Sequence, residues 1–268
     1  MVLQQEIEKI RQEGYRGADA GARLCQDIVL GAIAASSLSR NVTIKGGVVM
    51  RSLSGSSRRA TQDIDFDFIR YSISDDSIYS FIRKLDGFQG LRIEADSDIE
   101  TLNQQDYKGK RVYLKFTDET GMWLRSKLDI GVHRDLTVEQ EEFCFDVCYQ
   151  EDGVSLLMNS REQIIVEKLK SLLRFGAAST RYKDVFDICY LSESAEQAGL
   201  EACIQKYIYD DGTLNVNTKA EIIDRIRRTF HSRRYLEGLN SSRKNWLQRP
   251  VEEVLERDIR FLEETISE

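Results

Sequence analysis

Residues 45–68 read KGGVVMRSLSGSSRRATQDIDFDF, and the last six of them alternate acidic and apolar side chains. Alternation with a period of two predicts a β-strand, in which residues i and i+2 point to the same face. The strand predicted over residues 63–69 therefore carries three carboxylates on one face: Asp63, Asp65 and Asp67. The apolar side chains between them point the other way, into the core: Ile64, Phe66 and Phe68.

Carboxylates crowded on one strand face repel one another unless a cation lies between them. Oxygen ligands suit Mg²⁺ or Mn²⁺, so Asp63 and Asp65 are candidate metal ligands. A second alternating segment, residues 124–132, places Asp129 away from the core and offers a third acidic ligand. Two other interpretations stay open: a solvated edge strand with its charges outward, and a calcium-binding loop, which the apolar residues between the acids disfavour.

A pair of glycines, Gly46 and Gly47, follows a short β-branched segment and precedes a helix predicted over residues 48–53. Backbone N–H groups at the start of a helix bind anions, and glycine leaves them accessible. Arg58 and Arg59 stand just ahead of the acidic strand. Phosphate-binding amides, cationic side chains and metal-binding carboxylates are together the components of a phosphoryl-transfer or nucleotidyl-transfer site.

The character of the sequence changes near residue 159. Before it, predicted strands alternate with helices, which indicates an α/β (α+β) fold with a mixed sheet of five or six strands. After it, apolar residues recur at helical spacing, beginning with residues 160–175. We therefore expect two domains: residues 1–158, with the mixed sheet and its flanking helices, and residues 159–268, all helical.

The chain has 268 residues, with 38 Lys and Arg against 45 Asp and Glu, a formal net charge of −7 and a pI near 5.2. Its hydrophobic content of 41% excludes disorder, and its acidity argues against a small basic nucleic-acid module. Five cysteines without a Cys-x-x-Cys pair indicate reduced thiols. No secretory or membrane-spanning segment is recognisable, so we expect a cytoplasmic protein without a membrane partner.

Residues 45–68 resemble motif I of polymerase-β-type nucleotidyltransferases and, within that superfamily, the AbiEii/AbiGii toxin family. The hallmark of that family is Gly-Gly, a helix, and then Arg-x-[Ser/Thr]-x-Asp-[hydrophobic]-Asp. The matching positions of this sequence are Arg59, Thr61, Asp63 and Asp65. Val48 departs from the pattern, because the family often has Thr or Ser there, and this removes a hydroxyl that contacts a nucleotide phosphate.

Residues 161–188, REQIIVEKLKSLLRFGAASTRYKDVFDI, resemble the C-terminal motif of the same family. The matched positions are Glu167, Lys168, Arg174, Arg181, Lys183, Asp184 and Asp187. The segment SKLDIGV supplies the expected third acid, Asp129. The resemblance covers residues 45–188, which is roughly half of the chain.

The resemblance implies a nucleotidyltransferase-like sheet domain that uses a nucleoside triphosphate with Mg²⁺ or Mn²⁺. It implies that the helical domain closes the cleft and contacts RNA or an antitoxin. The implied metal ligands are Asp63, Asp65 and Asp129, the last acting as metal ligand or as base. The implied nucleotide contacts are Gly46, Gly47, Arg58, Arg59, Thr61, Lys168 and Arg174.

In the same family, Lys168 would stabilise charge that develops on the phosphates. Asp184 and Asp187 are spaced i, i+3 on a helix, so they share a face and would orient Lys168 or Arg174. The alternative is an exposed helix with surface ion pairs, which contribute little to stability.

Residues 219–249 form a cationic segment in an acidic protein, with nine Lys and Arg against three acids. Tyr235 and Trp246 lie among these charges. Cations interleaved with aromatic rings are typical of RNA contacts, in which the rings stack on bases. The candidate RNA contacts are Arg227, Arg228, Arg233 and Arg234. The alternative is a solvated charged face.

These patterns support one hypothesis and leave two others open. The first is a Mg²⁺-dependent nucleotidyltransferase, by resemblance the toxin of a bacterial type IV toxin–antitoxin or abortive-infection pair. It would transfer a nucleotide from a nucleoside triphosphate to an RNA, such as a tRNA 3′ end, or to a protein. The second is a phosphotransferase or nucleotide sensor of the same fold. The third is a non-catalytic protein that binds RNA or a cognate antitoxin.

Overall fold

The computed structural model describes residues 1–102 and 109–266. Its contacts divide the chain into two compact units, Met1–Asn159 and Ser160–Glu268. The first unit holds a sheet and the helices around it, and the second is helical. The structure therefore confirms the mixed α/β fold class that the change from alternating strands and helices to helical spacing predicts.

Eight strands form one mixed sheet in the described part of the first unit. They are β1 (Val42–Lys45), β2 (Asp63–Phe68), β3 (Arg92–Ala95), β4 (Glu100–Leu102), β5 (Gly109–Thr117), β6 (Trp123–Val132), β7 (Glu141–Val147) and β8 (Gln150–Met158). Their order is β3-β5-β6-β2-β1-β8-β7, with β4 paired to β5. The sheet is wider than the five or six strands expected, because the sequence analysis missed β4 and β8.

The same unit has four described α-helices: α1 (Leu3–Gln12), α2 (Ala18–Ala35), α3 (Gly46–Ser54) and α4 (Asp75–Leu85). The ring of Phe81 on α4 packs against Phe66 and Phe68, with centroid distances of 5.3 and 5.2 Å. All three rings are fully buried. Burial of one such side chain stabilises a fold by roughly 1.5–3 kcal/mol, so this cluster fixes which face of β2 is interior.

The described part of the second unit has six α-helices: α5 (Arg161–Phe175), α6 (Lys183–Leu191), α7 (Gln197–Ile204), α8 (Lys219–Phe230), α9 (Arg233–Ser241) and α10 (Val251–Thr265). The Ser160 hydroxyl caps α5 by accepting a hydrogen bond from the Gln163 N–H. Thr218 and Glu221 form a reciprocal capping box at the start of α8. Within residues 1–102 and 109–266, no helix is long and apolar enough to cross a membrane.

Candidate active site

The acidic face of β2 is the centre of the candidate active site. In the parallel register between β2 and β6, Asp65 lies opposite Asp129, and Asp63 lies opposite Lys127. Residues opposite each other on neighbouring strands share a face of the sheet and are one strand spacing, roughly 4.8 Å, apart. The sheet therefore brings together the three acids on which the metal prediction rests.

Cations on the neighbouring strands neutralise two of these acids. The Lys127 Nζ lies 2.8 Å from Asp63 Oδ2. The guanidinium of Arg111, on β5, donates from Nε to Asp129 Oδ1 at 2.7 Å and from Nη2 to Asp129 Oδ2 at 2.8 Å. Such a bidentate pair is strong and fixes the orientation of the carboxylate. Neither cation is predicted from the sequence as part of the site, although Lys127 stands two residues before Asp129 and so shares its strand face.

Asp65 lies between these pairs and has a perturbed acidity. Burial raises the pKa of the Asp65 carboxyl to about 6. The negative charges of Asp129 and Asp63 also raise it, whereas Lys45 and Lys127 lower it. A carboxylate whose charge is disfavoured by burial and by like charges is stabilised when a cation binds beside it.

The two glycines bring the start of α3 against the acidic face. Gly46 has a φ of +67°, a left-handed conformation that glycine adopts without strain. A Cβ atom at Gly46 would lie 2.5 Å from Asp65 Oδ2, and one at Gly47 would collide with the side chain of Thr61. Only residues without a side chain therefore allow this close approach, which places the first amides of α3 beside Asp65.

Cationic side chains surround the start of α3. Its N-cap residue, Lys45, makes no capping hydrogen bond through its side chain, and its ammonium lies 2.6 Å from Asp67 Oδ1. Arg58 and Arg59 form a short 3₁₀ turn before β2. The Arg58 side chain is exposed, whereas that of Arg59 is buried. Of the two predicted arginine contacts, Arg58 is thus the one that is accessible to a ligand.

A divalent metal fits this site with Asp63 and Asp65 as its carboxylate ligands. Among residues 1–102 and 109–266, no three His, Cys, Asp or Glu side chains are grouped to hold a metal ion. Both oxygens of Asp129 accept hydrogen bonds from Arg111, so a metal bound by all three predicted acids would share those oxygens with Arg111. Mg²⁺ in nucleotide sites is usually bound by one or two carboxylates together with substrate phosphates and water. Asp63 and Asp65 fit that donor set.

A buried ion cluster holds α3 from the core side. Arg51 on α3 donates to Asp27 Oδ1 at 3.2 Å, and Arg23 donates to Asp27 Oδ2 at 2.7 Å. On the same helix, α2, Gln26 donates to the Thr61 carbonyl at 2.8 Å. α2 therefore positions both α3 and the loop before β2. The sequence signal for this role is the group of polar residues Arg23, Gln26 and Asp27 within a helix of otherwise mostly apolar residues.

In the second unit, Lys168 on α5 is buried between two carboxylates of α6. Its Nζ lies 3.0 Å from Asp184 Oδ1 and 2.8 Å from Asp187 Oδ2, and the Trp246 Nε1 donates to Asp187 at 3.0 Å. The alternative of an exposed helix with surface ion pairs is wrong, because both carboxylates and the lysine are almost fully buried. The geometry gives Lys168 a structural role.

Arg174, the other predicted nucleotide contact of this unit, lies at the end of α5. Its Nη2 donates to Asp211 Oδ2 at 3.2 Å and to Thr213 Oγ1 at 3.3 Å. Lys170 also lies 2.7 Å from the same Asp211 oxygen. The described contacts of Arg174 therefore belong to a local ion cluster of the second unit.

In the cationic segment of residues 219–249, the arginines are at the surface but the two aromatic rings are buried. Tyr235 is fully buried and Trp246 is 7% exposed, so neither ring is available to stack on a base, and that part of the RNA prediction is wrong. Both rings are core residues, which the charges around them in the sequence conceal. The four arginines are at the surface, where Arg227 pairs with Glu263 and Arg233 with Glu237: Arg227, Arg228, Arg233 and Arg234.

The chain is similar to a protein family over most of its length. The family model described as the nucleotidyl transferase AbiEii toxin of type IV toxin–antitoxin systems matches residues 28–261. No curated protein matches the chain. Among solved structures, the chain is similar to an antigenic nucleotidyltransferase-like protein from Paracoccidioides brasiliensis, with 17% identity and a TM-score of 0.44, covering 75% of this chain and 91% of that one.

Proposed function

This chain belongs to the AbiEii family of nucleotidyltransferase toxins of type IV toxin–antitoxin systems, and from that premise we propose that it transfers a nucleotide from a nucleoside triphosphate to an RNA hydroxyl. The observation that carries the proposal is the register of β2 and β6, which sets Asp65 beside Asp129. The start of α3, which Gly46 and Gly47 allow to approach closely, lies against the same Asp65. The amides that we propose to bind phosphate and the carboxylates that we propose to bind metal are thus adjacent.

We assign the triphosphate to the start of α3. The amides after Gly46 and Gly47 bind its phosphates, and the positive end of the helix dipole favours their charge. Lys45 and the exposed Arg58 add cations beside them. Asp63 and Asp65 would hold Mg²⁺ together with the phosphates, and the bound ion supplies positive charge against the negative charge that develops during transfer.

The proposed reaction replaces one phosphorus–oxygen bond with another. The oxygen of the acceptor hydroxyl bonds to the α-phosphorus, the bond from that phosphorus to the α–β bridging oxygen breaks, and pyrophosphate leaves with the bonding electrons. The hydroxyl proton passes to a carboxylate, which we assign to Asp129. Each carboxylate oxygen has two lone pairs, so Asp129 retains acceptor capacity while Arg111 occupies one position on each oxygen.

The biological role follows from the family. A type IV toxin has a cognate antitoxin, and modification of an RNA needed for translation is a toxic outcome. We propose an RNA 3′ end, such as that of a tRNA, as the acceptor. Phosphate transfer and simple nucleotide sensing are the outcomes that compete with this proposal in the experiment.

The test is incorporation of labelled nucleotide. Purified protein is incubated with Mg²⁺, total RNA and each nucleoside triphosphate in turn, labelled at the α-phosphate in one set and at the γ-phosphate in the other. We expect an RNA band labelled only from the α-phosphate. The band is lost in the Asp63→Asn/Asp65→Asn variant and retained in Asp76→Asn, an exposed acid in the first turn of α4. Transfer of γ-label, or transfer that survives the double substitution, would overturn the assignment.

A further inference from the structure

Two cation–aromatic pairs lie on the same hairpin as Asp129, and each has one exposed and one half-buried member. The Arg125 guanidinium lies 3.9 Å from the centroid of the Tyr113 ring, and the Lys115 ammonium lies 5.5 Å from that of Trp123. Trp123 is 55% exposed, a fraction that is unusual for so large an apolar side chain. Neither pair belongs to the carboxylate site, and neither is explained by packing in the core.

The strand register places both pairs in line with the carboxylates. Tyr113 lies opposite Lys127, and Lys115 lies opposite Arg125. Because side chains alternate along a strand, every second residue of β5 and β6 lies on the same face of the hairpin as Asp129. We call this surface the β5–β6 face: Arg111, Tyr113, Lys115, Trp123, Arg125 and Lys127. From Trp123 to Asp129 is six residues along β6, which is about 20 Å, the length of a few nucleotides.

A cavity is lined both by residues of the β5–β6 face and by Asp63. It has a volume of about 560 Å³, and its lining includes Tyr113, Arg125, Lys127 and Asp63. Ala18, the first residue of α2, and Arg11 on α1 also line it. The cavity is therefore lined by an aromatic ring, by cations and by one predicted catalytic acid.

We propose that the β5–β6 face binds the single-stranded 3′ end of the acceptor RNA. The bases stack on Trp123 and Tyr113, Lys115 and Arg125 contact the backbone phosphates, and the last nucleotide enters the cavity so that its hydroxyl reaches the carboxylates. The inference rests on the proposed function and deepens it, because it assigns the acceptor to a surface. Every base has a π face, so such platforms bind single strands with little dependence on sequence.

The charges of the face favour a single strand over a duplex. Arg125 pairs with Asp96 at 2.6 Å, and Lys127 pairs with Asp63 at 2.8 Å. Cations that are already paired leave little net positive charge to attract the dense phosphates of a double helix. Stacking therefore carries more of the affinity than charge does, and a duplex does not expose base faces to a flat sheet.

The test compares two fluorescent RNA hairpins, one blunt and one with a short single-stranded 3′ extension, in anisotropy titrations without nucleotide. We expect the wild type to prefer the extended hairpin. Trp123→Ala and Tyr113→Ala should each weaken its binding about tenfold, within the range measured for stacked bases. Tyr113→Phe should bind as the wild type does, which excludes misfolding as the cause. Phe175→Ala, which removes an exposed aromatic ring of the second unit, is the matched control and should change nothing.

Tryptophan emission gives an independent readout, because the only other tryptophan, Trp246, is buried. The extended RNA should quench emission of the wild type, and this quenching should disappear in Trp123→Phe. A DNA strand of the same sequence tests whether the sugar contributes.

Failure of this inference and failure of the proposed function give different results. If Trp123→Ala and Tyr113→Ala bind the extended hairpin as the wild type does while label transfer persists, the inference is overturned and the function stands. If those variants lose antitoxin binding instead of RNA binding, the face is a protein interface and the inference is also overturned. Absence of label transfer by the wild type refutes the function, whereas the binding titrations do not depend on it.

Discussion

Arg111 and Asp129 form a bidentate ion pair between neighbouring antiparallel strands, with donor–acceptor distances of 2.7 and 2.8 Å. The pair fixes the orientation of the third acid of the site and offsets part of the negative charge around Asp65. Arg111 is therefore the residue that limits how strongly the three carboxylates attract a divalent ion.

Replacement of Arg111 by Gln should tighten the binding of Mg²⁺. Removal of one positive charge about 6 Å from a divalent ion in water-like surroundings lowers the free energy of binding by about 1.4 kcal/mol, or roughly tenfold in affinity. Isothermal titration of the nucleotide-free protein at low salt measures this change. Asp63→Asn should shift the affinity in the opposite direction. An unchanged Mg²⁺ affinity in Arg111→Gln would show that Asp129 does not contribute to the metal site.

Alanine at Gly47 should reduce nucleoside triphosphate binding at least tenfold, because the new methyl group collides with Thr61 and pushes α3 away from the acidic face. Alanine at Gly46 adds the cost of a left-handed backbone, about 1–2 kcal/mol, to its contact with Asp65. Fluorescent nucleotide titrations measure the affinity, and urea denaturation measures the stability.

Gly55→Ala is the matched control for the glycine substitutions. Gly55 ends α3 with a φ of +59°, and a Cβ there meets no atom within 4 Å. The control therefore carries the backbone cost without the collision, and it should lose stability while it keeps nucleotide affinity. Equal loss of affinity in Gly47→Ala and Gly55→Ala would show that general destabilisation, not the position of α3, is responsible.

Local alternation was enough to predict the acidic face. Asp63, Asp65 and Asp129 alternate with apolar residues that fill the core, and this pattern is visible within each strand. The sequence also predicts the accessible start of α3, because Gly46 and Gly47 have no side chain that would block a close approach. The predictions that succeeded depend on residues near one another in sequence or on the period of a single strand.

The sequence does not predict which residues of neighbouring strands lie opposite each other. Lys127 and Arg111 neutralise the acids only in the observed register, and a shift of one residue would turn them to the opposite face. β8 begins with Gln-Glu-Asp-Gly, which is typical of a loop, and its pairing with β7 is irregular there, becoming regular only from Val154 onward. The aromatic rings Tyr235 and Trp246 of residues 219–249 are buried, whereas Trp123 on β6 is exposed, since burial depends on tertiary packing.

Lys168→Met should destabilise the protein by about 3–5 kcal/mol, because it removes the buried cation that Asp184 and Asp187 share, although Arg181 still lies 2.9 Å from Asp184. Urea denaturation with refolding measures the change, and Asp187→Asn in the same chain should recover part of it. Lys206→Met is the control, since its pair with Asp210 at 3.9 Å is exposed and should be worth less than about 1 kcal/mol. A loss of nucleotide affinity in Lys168→Met without a loss of stability would contradict the structural role.

Asp258 on α10 should make the protein less stable as the pH rises. The side chain is 1% exposed, and neither carboxylate oxygen has a hydrogen-bond partner within the part of the chain that the structure describes. Burial raises the pKa of this carboxyl well above its ordinary value, and Arg257 offsets the effect only in part. The folded state therefore binds a proton that the unfolded state releases above a pH of about 4.

The extra proton bound by the folded state sets the direction in which stability changes with pH. Between a pH of about 4 and the pKa of the buried carboxyl, the folded state holds more protons, so the free energy of unfolding falls with rising pH by up to about 1.4 kcal/mol per pH unit. Asp258→Asn removes this contribution, so the difference in unfolding free energy between variant and wild type should grow with pH. Urea denaturation from pH 5 to pH 8 measures it, with Asp76→Asn as an exposed control. Parallel curves for wild type and Asp258→Asn would show that Asp258 is charged in the folded state.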